Sequence, residues 1–250
     1  MKLGKFVNKG LSYAGMKLVR LPAEPVARMG NVHPLDGDDQ TDIEIRKLLN
    51  LVAYTKLSGS PYNAERFPSG YHTLRIDGHE FKGQRDPVQR LEGVPFDFSG
   101  ATVLDMGCNQ GGMLFSIADR IESGIGVDYD HRMINAANRI RRHCGVKNLD
   151  FYVFDLDNED LQVLRNFLHN RTVDIVFLLS VCMWLKNWKA VIDLARSISG
   201  AMLFESNGSD EQQREQEAHL AASYRSVVKV RDASSDDARQ PNRRLFLCRT

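Results

Sequence analysis

The chain has 250 residues, enough for one large α/β domain with a sizeable core and short for two full domains. Apolar residues make up 42% and charged residues 26%, an ordinary globular balance that excludes a mainly disordered chain. The net charge of +1 gives no general pull toward nucleic acid, and Cys108, Cys144, Cys182 and Cys248 are scattered without a CxxC pair, which points to free thiols in a reducing compartment.

No apolar run approaches the roughly 18 residues needed to span a bilayer, and the first residues lack the apolar core and cleavage site of a secretion signal; the expectation is a cytoplasmic protein. Residues 1–20, "MKLGKFVNKGLSYAGMKLVR", carry Lys2, Lys5, Lys9, Lys17 and Arg20 and no acid, with Leu3, Phe6, Val7, Leu11 and Ala14 at roughly helical spacing. Such a segment either touches an anionic membrane surface, peripherally at the inner face, or packs as a helix on its own domain. Gly4, Gly10 and Gly15 weaken that helix and favour the second reading. Pro, Gly and Asp make the stretch up to residue 40 a linker. Thr41 and Glu44 then form a capping box ahead of Ile45, Leu48, Leu49 and Val52, which predicts a helix over about 41–56. Residues 57–100 are loop-rich, with aromatic and charged side chains interleaved, as suits a lid. Three regions follow: a basic segment and linker at 1–40, a helical and loop lid at 41–99, and the main domain at 100–250.

From residue 101 apolar strands alternate with amphipathic helices. Strands are predicted at 101–106, 124–128, 149–154, 173–180, 200–205, 225–231 and 243–249, and helices at 111–122, 131–143, 159–169, 186–198 and 210–222. That rhythm specifies a Rossmann-like, seven-stranded, mostly parallel sheet with helices on both faces. The loop "DASSDDARQPN" carries no helical pattern, so the last strand should return antiparallel.

Ligands of such sheets bind beyond the carboxyl ends of the strands. The first strand ends in "LDMGCNQGGM", where Gly107, Gly111 and Gly112 permit a tight turn and the next helix presents its backbone amides. Asn109 breaks the G-x-G-x-x-G pattern of dinucleotide sites, and no Lys-Ser or Lys-Thr follows as in a P-loop. Asp105 would repel a pyrophosphate but accept hydrogen bonds from an ammonium group. The second strand, "GIGVDYD", ends in Asp128, an acid at the offset that lets a carboxylate accept both ribose hydroxyls; Asp130 is the better cap for the helix that follows. Asp155 ends the third strand, "LDFYVFDLDNED", and is either a ligand contact or a turn residue.

"VLDMGCNQGG", together with Asp128 and Asp155, resembles class I S-adenosylmethionine-dependent methyltransferases, whose first motif is D-x-G-x-G-x-G. The chain departs at Asn109, a turn-compatible residue. The resemblance implies that Asp105, Gly107, Cys108, Asn109 and Gly111 hold the methionine end of the donor, Asp128 with Tyr129 the ribose, Asp155 with Leu156 the adenine, and that Ser180 lies near the methionine portion. It implies S-adenosylmethionine as cofactor and S-adenosylhomocysteine as product. The fourth strand end, "SVCMWLKNW", lacks the acid of metal-dependent catechol-type members, so no metal is expected. Glu205, in "LFESNGSD", is either a base for a hydroxyl proton or a structural acid, and His72 is a second candidate base. Tyr71, Arg75, Arg85 and Gln89 are candidates for closing over the site or reading the acceptor, and Trp184 either packs or stacks on substrate. Taken whole, the chain resembles methyltransferases of surface-polysaccharide and lipopolysaccharide gene sets, which implies O-methylation of a sugar, glycan or related small acceptor. "GYHTLRIDG" resembles the lead-in of the tRNA wobble-uridine carboxymethylating enzyme, an alternative that the near-neutral charge disfavours. A non-catalytic S-adenosylmethionine-binding module is the third reading. Oligomeric state is not legible.

Overall fold

The computed structural model describes residues 47–48, 70–234, 237 and 241–250. The segment and linker expected at 1–40 lie outside the described residues, as does the helix expected over 41–56 apart from Lys47 and Leu48, which are helical. The lead-in begins with a small antiparallel pair, β1 (Leu74–Ile76) and β2 (His79–Phe81). A short helix follows, α1 (Pro87–Leu91), started by Asp86, whose side chain accepts from Val88 N, and by a proline at the first helical position.

The main sheet contains β3 (Thr102–Met106), β4 (Ser123–Asp128), β5 (Leu149–Val153), β6 (Val173–Leu179), β7 (Ser199–Glu205), β8 (Ser226–Arg231) and β9 (Leu245–Arg249), in the order β5-β4-β3-β6-β7-β9-β8. β3 to β7 pair in parallel, and β9 runs antiparallel to both neighbours. This is the expected architecture. The reversal of β9 has the expected cause, because no helix among the described residues lies between β8 and β9 to carry the chain back for a parallel crossover. The chain winds outward from β3 to β5 and then crosses to β6, so the topological switch lies between β3 and β6, where such sheets open a crevice for ligands.

The helices are α2 (Gly112–Phe115), α3 (His131–His143), α4 (Leu164–Phe167), α5 (Trp188–Ile198) and α6 (Asp210–Ser223). Side-chain alternation along the strands divides the core in two. Leu104, Met106, Val176, Leu178, Met202 and Phe204 face α5 residues Val191, Ile192 and Ala195. Val103, Ile175, Phe177, Ala201 and Leu203 face Phe98, α2 and the apolar stripe of α3. β6 is buried on both sides, as its uninterrupted run of Ile, Val, Phe and Leu requires. Asp130 caps α3 by accepting from Arg132 N, and Ser209 with Gln212 forms a capping box on α6.

Two helices are shorter than predicted. The pattern at 111–122 is α-helical only to Phe115, because Ser116 Oγ donates to the Met113 carbonyl at 2.7 Å and Ile117 N turns back to Leu114 O. A hydroxyl that takes a helix carbonyl competes with the backbone ladder. The pattern at 159–169 is a 3-10 turn (Leu161–Val163) running into α4, stopped by His169 and Asn170 in the left-handed region, at φ 50° and 57°. Among the described residues no helix is long and apolar enough to cross a membrane, and no group of three or more His, Cys, Asp or Glu side chains could hold a metal ion.

Candidate active site

The turn after β3 is tied to the neighbouring strand, with Gly107 N and Cys108 N both donating to Val127 O at 2.8 and 3.0 Å. Gly107 and Gly111 adopt φ of 82° and 75°, a region that a side chain would strain. Space is closed to them as well: a Cβ on Gly107 would lie 2.6 Å from Val181 Cγ2, and one on Gly111 2.5 Å from Phe151 Cε1. Asn109, at φ 52°, shows why asparagine stands where the motif has glycine, since it is among the residues that visit this region readily. The Cys108 side chain is buried against Gly126, which leaves its backbone as the part that a ligand at the turn could meet.

Two acids bracket this turn. Asp105 is 2% exposed, and its Oδ2 has no hydrogen-bond partner. Burial pushes its carboxyl up to about 7, with the charge of Arg90 pulling down and that of Asp128 pushing up. Asp128 accepts from Asn109 N through Oδ2 and from Asp130 N through Oδ1, both at 2.9 Å, and so joins the ends of β3 and β4. Burial raises it to about 6 against the pull of those two bonds. Each Asp128 oxygen keeps a further lone pair. Tyr129, beside it, is 73% exposed. Asp155 mostly closes its own turn: Oδ1 accepts from Asp157 N and Asn158 N at 2.9 and 3.2 Å, and Oδ2 from Asn158 Nδ2 at 2.9 Å. Three of its roughly four lone-pair sites are thus used locally. Leu156 is buried in the core on the α5 side.

A second cluster lies at the ends of β6 and β7. Glu205 Oε1 accepts from Arg85 Nη2 at 2.8 Å and Oε2 from Arg90 Nη2 at 2.7 Å, and Ser180 Oγ donates to Oε2. All four side chains are buried. Burial alone would raise the Glu205 carboxyl, but the charges of Arg90 and Arg85, with hydrogen bonds from Arg85 and Ser180, hold it well below the usual carboxylate range. A carboxylate so stabilised is a poor proton acceptor, which favours the structural-acid reading of Glu205 over the base.

His72 is corrected in a related way. Burial first, then the charges of Arg90 and Arg85, keep its imidazole neutral. Its Nε2 lies 3.4 Å from Arg90 Nη1, and a guanidinium only donates, so Nε2 is the acceptor and the proton sits on Nδ1. Nδ1 is buried without a partner, and His72 is packed so closely on Gly112 that a Cβ there would lie 2.4 Å from its own Cβ. It offers a buried donor, not an accessible base.

Of the expected lid residues, Tyr71 reaches the cluster: its hydroxyl accepts from Arg85 Nη1 and Arg243 Nη1, each at 3.4 Å. Arg85 is fully buried in its ion pair with Glu205. Arg75 pairs at the surface with Glu80 and Asp86 at 2.7 and 2.9 Å, stapling the hairpin to α1, and Gln89 is exposed, with its carbonyl accepting from Arg231 Nη1 at 2.9 Å. Trp184, on a 3-10 turn (Cys182–Trp184), is 69% exposed.

Sequence reasoning assigned no part to Arg243 and Asp237, placed Asn207 with Glu205 where an acceptor could sit, and offered Arg90 only as one of three cations available to a carboxylated donor. Arg243 donates to Ser180 Oγ at 3.1 Å and pairs with Asp237 at 3.1 Å, and Arg85 lies 3.8 Å from the same acid. The stretch "DDARQPNRR" signalled charge in a region without a helical pattern, but nothing local revealed that Asp237 and Arg243 pair with each other beside Ser180. Asn207 Oδ1 accepts from Met183 N at 3.0 Å while Nδ2 is buried without a partner. Its place beside Glu205, at a strand end, was the available signal.

A switched α/β sheet with a glycine turn and two buried acids at its carboxyl edge is the frame of a nucleoside-binding transferase. The family model described as a methyltransferase domain matches residues 97–231, and the chain belongs to that family. It is a class I S-adenosylmethionine-dependent methyltransferase. No curated protein sequence matches the chain. Among solved structures, the N-terminal domain of EvdMO1, crystallised in the presence of SAH and D-fucose, is 14% identical with a TM-score of 0.59, over 85% of this chain and 97% of that one. WbdD, described as a bifunctional kinase-methyltransferase, is 17% identical with a TM-score of 0.58, over 81% of this chain and 47% of its own length. A putative SAM-dependent methyltransferase from Streptococcus mutans is 14% identical with a TM-score of 0.51, over 66% of this chain and 47% of that one. At these identities the likeness is one of fold.

Proposed function

We propose that the enzyme methylates a hydroxyl oxygen of a sugar or glycan acceptor. The observation that carries the acceptor class is the match across nearly the whole of an EvdMO1 domain solved with SAH and D-fucose; the likeness to WbdD, a kinase-methyltransferase, is compatible with it.

The chain's residues fit the donor. An unpartnered carboxylate oxygen on Asp105 suits an ammonium group, the tight turn of 107–111 runs between the two acids with Gly107, Asn109 and Gly111 at positive φ, and Asp128 has lone pairs left for two hydroxyls. Asp105 and the turn would hold the methionine end, Asp128 with Tyr129 the ribose, and Asp155 with Leu156 the adenine side. S-adenosylmethionine, when bound, supplies a methyl group made electrophilic by its sulfonium.

The protein's part is alignment and exclusion of water, which can account for much of a displacement barrier. Arg85 and Arg90 fasten the lead-in segment to Glu205, fixing one wall at the β6 and β7 ends. With Glu205 held as a stabilised carboxylate and the His72 proton on Nδ1, acceleration rests on that alignment and not on either residue as base. The wobble-uridine alternative would need a cation for a carboxylated donor, and Arg75, Arg85 and Arg90 are each paired with acids.

Incubation with methyl-labelled S-adenosylmethionine and separated glycan, lipid, RNA and protein fractions tests the reading. Label in glycan is expected. Label confined to RNA or protein, or none in any fraction, would refute it.

A further inference from the structure

We propose that the indole face of Trp184 is the platform on which the sugar ring of the acceptor rests; this rests on the sugar-acceptor reading above and names the residue that reads the ring.

The chain has two tryptophans. Trp188 is half-buried against the core, lies edge-to-face on His219 at 5.5 Å and 85°, and has Lys189 Nζ 5.3 Å from its ring centroid. Trp184 is 69% exposed, and among the described residues no ring or cation lies on it. An indole left in water adds little to folding.

Its position is held by the residues around it. The chain leaves β6 through Val181, whose Cγ2 fills the space above Gly107, so the turn begins on the donor cradle. Cys182 is buried beneath it. Met183 N donates to Asn207 Oδ1 at 3.0 Å and Trp184 N to Val181 O at 3.0 Å, and Lys186 N and Asn187 N donate to Asp157 Oδ1 at 2.9 and 3.2 Å. The loops after β5 and β7 therefore hold this backbone while the loop after β3 meets the Val181 side chain, and a pre-ordered ring loses little freedom on binding.

The chemistry of the occupant follows from what stands there. A pyranose presents a face of C–H bonds, weakly positive, to the negative face of an aromatic ring. Its hydroxyls need a few fixed polar partners at the rim. Asn207, the residue that pins the turn, is fully buried and keeps Nδ2 unpartnered, a donor suited to a ring hydroxyl.

The test compares wild type, Trp184→Phe and Trp184→Ala for methyl transfer to the glycan fraction, dosed by hexose content, alongside calorimetry of S-adenosylhomocysteine binding and melting. The alanine variant should raise the apparent KM for glycan about tenfold or more, the phenylalanine variant should recover most of it, and product affinity and melting should be unchanged in both. Equal KM in wild type and alanine variant would overturn the platform while leaving the sugar reading intact. A fall in product affinity would overturn it by making Trp184 a donor-site or structural residue. Failure of wild type to label glycan would overturn the sugar reading, and the platform with it.

Discussion

Arg90 Nη2 and Glu205 Oε2 meet at 2.7 Å, 115 positions apart in sequence, with both side chains buried. The contact joins the lead-in helix to the end of β7, and Arg85 repeats it from the preceding loop. Removing one partner of a buried ion pair costs far more than the intact pair contributes, because the other charge stays buried. Glu205→Gln, nearly isosteric, should therefore destabilise the fold by about 3–5 kcal/mol. Melting followed by circular dichroism should fall by about 10 °C. A catalytic base at Glu205 would instead lose turnover at unchanged melting. Because the folded carboxyl is held below its ordinary range, this stabilisation is complete above that range and is lost as pH falls through the folded value.

The donor acids titrate with the opposite sign. Burial raises Asp105 to about 7 and Asp128 to about 6, so ionisation is disfavoured in the folded chain, and both groups oppose folding as pH rises from the ordinary carboxylate range through 6 to 7. An ammonium at Asp105 and hydroxyls at Asp128 favour the ionised forms. Product binding should release protons below about pH 7, with affinity rising toward that pH and level beyond it. Calorimetry in two buffers of unlike ionisation heat should differ at pH 6 and agree at pH 8, and Asp105→Asn should shrink the difference.

Two glycines separate backbone strain from lost space. Gly107→Ala meets both a positive φ and a Val181 methyl group at 2.6 Å, whereas Gly93→Ala meets a positive φ with nothing within 4 Å. The second should cost about 1–2 kcal/mol of stability and leave product affinity unchanged. The first should cost more and weaken product binding about tenfold or beyond, since the cradle must move. Paired melting and binding measurements check both.

The sequence patterns that proved legible are local ones. Asp130 and the Met133, Ile134, Ala137, Ile140 stripe mark α3 at both ends as found. Alternating apolar runs bound each strand of the sheet to within two residues, and Asp128 stands at its strand end as the pattern placed it. The helix after the glycine turn was overextended because the bond from the Ser116 hydroxyl to the Met113 carbonyl leaves no trace in apolar spacing. Roles set by distant partners were illegible for a different reason. Glu205 reads alone as an acid at a strand end, and only its neighbours from 85, 90 and 180 turn it from base to ion-pair centre. Trp184 was ambiguous because exposure is a tertiary property.

The most direct test of the donor site is calorimetric titration of S-adenosylhomocysteine into wild type and Asp128→Ala, with melting recorded for each. Wild type should bind clearly, and a variant that still melts cooperatively should lose about a hundredfold or more, from two hydrogen bonds to a charged group. Equal affinity in the two folded proteins would contradict the placing of the donor at Asp128.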